Sequence, residues 1–173
     1  MTVAVAMIQP KHPRNVGTAV RACSCYGVPE LLVTGTRVRL DAEKGKGYRL
    51  PREERMRGGR CVHVRRVERP VYECPGLTPV AIELIPGTQL LPHYKHPEHA
   101  LYIVGPEDGS IPKGILSACH DFVRIPMLHC ANVASAIYMV LNDRHTKRVL
   151  DGLESPLELQ PEGQGEADDA AVW

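Results

Sequence analysis

Five consecutive apolar residues, Ala100-Leu101-Tyr102-Ile103-Val104, run directly into Gly105-Pro106-Glu107-Asp108-Gly109-Ser110. An unbroken apolar run of this length, ended by a sharp turn, is the pattern of a strand buried on both faces, and such strands belong to parallel sheets covered by helices. Downstream, the sequence predicts a short helix over 112–119 and a second strand over 122–125, stopped by Pro126. A long helix then opens at Asn132, with Val133, Ala136, Ile137, Val140 and Leu141 recurring at helical spacing. Two strand ends and one helix start therefore deliver three polar or Gly-rich turns. In an open α/β sheet, ligands bind at the carboxyl ends of strands, so a site is expected at these turns.

The N-terminal half has the same alternation. Residues 2–8 read as a buried strand and residues 9–14, with Pro10 and Pro13, as a loop. Asn15 is a credible N-cap for a helix over 18–26 closed by Gly27, and a strand follows over 31–34. Further strands are expected over 61–64 and 80–84. This opening resembles half of a dinucleotide-binding fold, but G-x-G-x-x-G is absent and a dinucleotide lacks its usual seat. His93, His96 and His99 are three residues apart. Pro92 and Pro97 prevent a regular helix there, and no Cys or carboxylate completes a ligand set, so no metal is expected.

The chain of 173 residues suits one domain over 1–153, followed by an acidic tail over 154–173 whose composition predicts disorder. From Asp151 onward there are seven acidic residues and no Lys or Arg. Residues 1–150 therefore hold 21 basic against 13 acidic residues, about +8 behind the net +1 of the whole chain. A basic body suits an RNA partner. Residues 37–69 are the most basic stretch, with twelve Lys or Arg against five acidic residues and glycines at 45, 47, 58 and 59. That stretch reads as a phosphate-binding arm, the alternative being a solvated loop with a short helix. No run approaches eighteen apolar residues and the N-terminus lacks a charged region followed by a cleavage site, so a cytoplasmic protein with no membrane partner is expected. Cys23, Cys25, Cys119 and Cys130 lie in apolar segments and read as buried, reduced thiols.

Three segments also resemble the motifs of one enzyme family. Asn15-Val16-Gly17-Thr18-Ala19-Val20-Arg21 fits Asn-x-Gly-x-x-x-Arg, Gly105-Pro106-Glu107 follows a strand, and Ile125-Pro126-Met127 precedes Asn132-Val133-Ala134 at the start of the last helix. In this order they resemble the SpoU (TrmH-type) RNA ribose methyltransferases of the SPOUT superfamily. The likeness covers roughly residues 3–150. The chain departs from the family pattern in having Ser110 where a second glycine is common, and Cys130-Ala131-Asn132 where Ser-Leu-Asn is usual.

The resemblance implies a mostly parallel α/β sheet whose C-terminal third forms a deep trefoil knot, a homodimer, and methyl transfer from S-adenosylmethionine to a ribose 2′-hydroxyl of RNA, tRNA being favoured over rRNA. It implies that Arg21 orients or activates the hydroxyl, with Asn15, Glu107 and Asn132 in the same pocket. Taken on their own, Glu107 could simply satisfy amides of its turn and Asn132 could simply cap its helix. Carried over by position, the cofactor lies against Glu83, Leu84, Gly105, Glu107, Ile125, Met127, Cys130 and Ala134. Arg14, Arg21, Arg52, Arg55 and Arg57 are the candidate RNA contacts, and no metal is implied. A catalytically silent RNA-binding relative is the alternative function, and a nucleotide-binding α/β protein of another class is a third.

Overall fold

Every strand pairing among the described residues is parallel, in keeping with the burial of Ala100–Val104 on both faces. The computed structural model describes residues 2–40 and 62–158. Within them the order is β1 (Val3–Met7), α1 (Pro13–Cys25), β2 (Glu30–Val33), β3 (His63–Arg66), α2 (Pro70–Glu73), β4 (Thr78–Ile82), β5 (Gln89–Leu90), a 3-10 turn (Leu91–His93), β6 (Ala100–Val104), α3 (Lys113–Leu116), β7 (Asp121–Arg124) and α4 (Val133–Leu150). The strands form one sheet in the order β3-β2-β1-β6-β4-β7-β5. From β1 the chain moves toward one edge, and from β6 toward the other. The loops leaving these two neighbouring strands therefore diverge and open a crevice at the carboxyl edge.

The two-residue period of the strands divides the core between two faces. Val3, Val5 and Met7 of β1 point to one face, with Tyr102 and Val104 of β6, and meet Val16 and Val20 of α1 and Ile137 and Leu141 of α4. Ala4 and Ala6 point to the other, with Leu101 and Ile103, against Ile111, Ile115 and Leu116. The long helices cover the first face. Burial of each Val, Leu or Ile there contributes roughly 1.5–3 kcal/mol, so most of the helical stability comes from this packing.

Several boundaries differ from the sequence expectation for identifiable reasons. Asn15 does not cap α1. The helix starts at Pro13, with His12 at the N-cap position and no side-chain cap bond; proline is pre-organised for the first helical position and lacks an amide that would need a partner. The fourth strand begins at Thr78 and ends at Ile82, because pairing Thr78 with Ala100 and Ile82 with Val104 fixes its ends against β6. The third strand lies over His63–Arg66, two residues later than expected. α2 and the two-residue β5 were not anticipated. Cys25 and Cys130 are exposed, because one ends α1 and the other sits in the loop before α4. At the start of the expected tail, Glu154 accepts hydrogen bonds from Arg148 Nε at 2.5 Å and interacts with His145 Nδ1 at 3.2 Å. No helix among the described residues is long and apolar enough to cross a membrane.

His99 and His96 take separate roles. His99 Nδ1 accepts the Thr2 amide at 3.1 Å. His96 turns inward, its side chain 2 % exposed, with Nε2 2.9 Å from Asp143 and Nδ1 2.6 Å from the Tyr102 hydroxyl. Asp143 can only accept, so Nε2 carries the proton and Nδ1 accepts from Tyr102. Around it, Lys147 bridges Asp143 and the Leu91 and Tyr94 carbonyls, and buried Arg144 donates to the Pro97 and Glu98 carbonyls. This polar cluster seats α4 on the segment that enters β6.

Burial pushes the His96 pKa from 6.5 to about 4; Asp143 opposes the fall, and Lys147 and Arg144 add to it. The folded state therefore keeps His96 neutral over a range where the unfolded chain binds a proton. Stability should fall as pH drops from about 6.5 toward 4, by up to roughly 3 kcal/mol from this residue. Denaturant unfolding above and inside that window should show the loss, and His96→Gln should flatten it. An equally steep pH dependence in the variant would place the cause elsewhere.

Candidate active site

A single chain of hydrogen bonds joins three loops at the crevice. Glu107, just past β6, accepts the Lys11 amide on Oε2 at 2.7 Å, and the His12 amide at 3.3 Å and Asn15 Nδ2 at 2.6 Å on Oε1. Asn15 Oδ1 accepts Asn132 Nδ2 at 3.0 Å. Asn132 Oδ1 in turn accepts the amides of Ala134 at 2.9 Å and Ser135 at 3.4 Å, capping α4. The direction of every bond is forced. A carboxylate only accepts, so Asn15 presents its amide nitrogen to Glu107 and its oxygen to Asn132, and Asn132 must turn its own oxygen to the helix. Asn15 is 8 % exposed, and neither of its polar atoms is left without a partner.

Burial pushes the Glu107 carboxyl up, but the bonds from Asn15 and from the Lys11, Glu107 and His12 amides outweigh it, and its pKa lies below the usual range. Glu107 is therefore held ionised as an acceptor. It organises three segments and is not placed to shuttle a proton.

Beside this chain lies a cavity of about 640 Å³, within the range of small-molecule sites. Of the residues expected around a cofactor, Glu83, Leu84, Gly105, Glu107, Ile125, Met127 and Cys130 line it. Ala134 does not: it is buried against the core, and its amide is taken by Asn132. Val133 and Ala136, three apart on the same helix face, line the cavity instead, as do Ser110 and His129. The helical period of α4 held the signal for the first pair; the second pair only flanks the motifs.

Two features shape the floor. Glu83 accepts the Leu84 amide at 3.0 Å and the Ile111 amide at 2.9 Å, tying the end of β4 to the loop after β6. At Gly105 a Cβ would meet the Ile111 nitrogen at 3.3 Å and Glu83 Oε2 at 3.5 Å, so the close approach of these loops favours glycine.

Arg21 is half-buried on α1 but does not line the cavity. Its charge acts on Tyr138 of α4, whose hydroxyl is pushed up to about 12 by burial and by Cys25, with Arg21 opposing. Arg14 is exposed near the start of α1. Arg52, Arg55 and Arg57 lie outside the described residues. The structure thus joins Asn15, Glu107 and Asn132 directly and leaves Arg21 beside them, about 9 Å further along the α1 axis than Asn15. No group of three metal-ligating side chains occurs among the described residues.

No curated protein is significantly similar to the chain in sequence. The model of the SpoU rRNA Methylase family matches residues 2–142. Among solved structures, the A. aeolicus TrmH/SpoU tRNA modifying enzyme is 21% identical, with 92% of this chain and 82% of that one aligned at a TM-score of 0.73. The AdoMet-bound rRNA methyltransferase from Sinorhizobium meliloti is 17% identical, with 84% of this chain aligned at 0.66. The chain spans only 56% of that protein's length. A protein studied for 2-OH methylation on tRNA is 20% identical, with 86% of this chain and 91% of that one aligned at 0.69. The shared fold is an α/β knot, with a deep trefoil in the C-terminal third. With the family model extending over both the Asn15 turn and the Glu107 turn, the chain belongs to the SpoU methylase family.

Proposed function

We propose that this protein transfers a methyl group from S-adenosylmethionine to a ribose 2′-hydroxyl of RNA, with tRNA the favoured substrate. The observation that carries the reading is the forced hydrogen-bond chain Glu107–Asn15–Asn132, which fixes three loops around one cavity. The cavity fits the cofactor. Leu84, Ile125 and Met127 offer apolar walls, and the turn at Gly105 just past β6 closes another side. When bound, S-adenosylmethionine supplies an electrophilic methyl group, and the chain's own residues have to position the hydroxyl and stabilise its developing charge.

Arg21 is the group for that charge. A guanidinium does not accept a proton at neutral pH, so its role is to orient the hydroxyl and stabilise the oxyanion. Its place outside the cavity suits a residue that meets the substrate and not the methyl donor. tRNA is favoured because two structural neighbours that align over most of their own length are described as acting on tRNA. We place the protein in the cytoplasm, where the described cysteines stay as thiols. A homodimer is supported by the exposed Met139 on α4 and by Leu128, which is 96 % exposed in the loop before it.

Incubation with bulk tRNA and methyl-deuterated S-adenosylmethionine, followed by nucleoside mass spectrometry, should place the label on a 2′-O-methyl nucleoside. Label on a base, or none on tRNA or rRNA, would refute the assignment; cofactor binding without transfer would indicate a silent RNA-binding relative. Arg21→Ala should lower the rate by about 10² or more while cofactor affinity by calorimetry stays nearly intact. Asn132 allows its two roles to be separated. Asn132→Ala should cost about 1 kcal/mol through the lost cap. Asn132→Asp should restore that stability yet stay inactive, because a carboxylate caps the helix but cannot donate to Asn15. Activity in the Asp variant comparable to the parent would show that the Asn132–Asn15 bond is dispensable.

A further inference from the structure

Three charged side chains meet at the rim of the Glu107 turn, outside the cavity lining. Lys11 lies between β1 and α1, Arg37 beyond β2, and Asp108 next to Glu107 beyond β6. Because β2, β1 and β6 are neighbours in the sheet, the three loops are adjacent at its carboxyl edge. Arg37 meets Asp108 with both arms of its fork, Nη1 to Oδ1 at 2.9 Å and Nη2 to Oδ2 at 2.7 Å. Lys11 Nζ is 3.4 Å from Oδ2. Two cations share the Asp108 carboxylate, so these three side chains carry one net positive charge. The ionised Glu107 beside them accepts from Asn15 and from the Lys11 and His12 amides. All three side chains remain open to solvent, at 48 % for Lys11, 35 % for Arg37 and 44 % for Asp108.

The loop that carries Arg37 is held firmly. Thr34 Oγ1 accepts the Gln9 amide at 3.0 Å, and Arg37 Nη1 donates to the Gln9 carbonyl at 3.4 Å. Gly35 has φ 72° and packs so closely that a Cβ would lie 2.9 Å from Gln9 Cγ. Beyond Arg37, Val38 and Leu40 are buried in the core. An ion pair this exposed adds little to stability, so stability alone does not account for so ordered a cluster. The planar fork that Arg37 offers a carboxylate matches a phosphate equally well.

We infer that Lys11 and Arg37 form a seat for one backbone phosphate of the RNA, with Asp108 keeping the fork oriented until the phosphate displaces it. The identity of the polyanion rests on the proposed function. The seat lies one residue from Glu107, and the Lys11 amide is itself bonded to Glu107. RNA docked there is therefore registered against the turn that holds Asn15.

The test uses the full chain without methyl donor. Binding of bulk deacylated tRNA is measured against salt concentration for the parent, Arg37→Gln and Asp108→Asn. Arg37→Gln should weaken binding and reduce the slope of log affinity against log salt by one contact, about 0.7–0.9. Asp108→Asn should act in the opposite sense and tighten binding severalfold, because the competing carboxylate charge is gone. Both variants should keep the parent's melting temperature and S-adenosylmethionine affinity. An unchanged slope in Arg37→Gln overturns the seat, as does weaker RNA binding in both variants, which is the result of a purely structural clamp. If the parent binds neither tRNA nor rRNA, the proposed function fails and the seat falls with it; if the parent binds and the variants match it, only the seat is lost.

Discussion

The Glu107 carboxylate is the constraint on which the site depends. It takes two amides from the loop after β1 and the side-chain amide of Asn15, and through Asn15 it sets the orientation of Asn132 at the head of α4. Three segments far apart in sequence are thereby fixed relative to one another by one acceptor. A polar network built around a buried member such as Asn15 holds a single geometry only when that member is satisfied, and here the forced direction of each bond meets that condition. Removing the Glu107 carboxylate or the Asn132 amide leaves a polar atom of buried Asn15 without its partner, which costs more than the bond itself contributes.

The sheet makes this arrangement possible. β1 and β6 lie side by side and parallel while their outgoing loops diverge, so the residues immediately after each strand face one another across a gap. Glu107 bridges that gap at one end, and Arg37 with Lys11 and Asp108 bridges it on the rim. α4 closes the remaining side, seated on the chain before β6 by the His96, Arg144 and Lys147 cluster. Folding energy and site geometry therefore meet in the same helix, whose N-terminus forms part of the pocket and whose body covers the core.

Much of the fold was legible in the sequence because burial imposes simple patterns. β6 matches its apolar run residue for residue, and α4 follows its apolar period from a cap at Asn132. What failed was local chemistry with more than one use. Asn15 has the character of an N-cap, yet Pro13 starts the helix earlier and frees Asn15 to face Glu107, 92 residues away in sequence. The sequence assigned His96 no role, because its partners lie on β6 and α4. Ala134 belongs to a motif, but the turn of the helix directs Val133 and Ala136 to the cavity. The partners of Asn15 and His96 are settled by packing and leave no periodic trace.

A double-mutant cycle tests most directly whether Asn15 and Asn132 act as one unit, joined by their direct bond and oriented by Glu107. kcat/KM for methyl transfer is measured in the parent, Asn15→Ala, Asn132→Ala and the double variant, with stability measured alongside. A single connected unit predicts that the double variant loses little more than the worse single variant, with a coupling energy of about 0.5–3 kcal/mol. Single losses that add to the double loss within about 0.5 kcal/mol would show two independent residues and contradict the central role given to the chain.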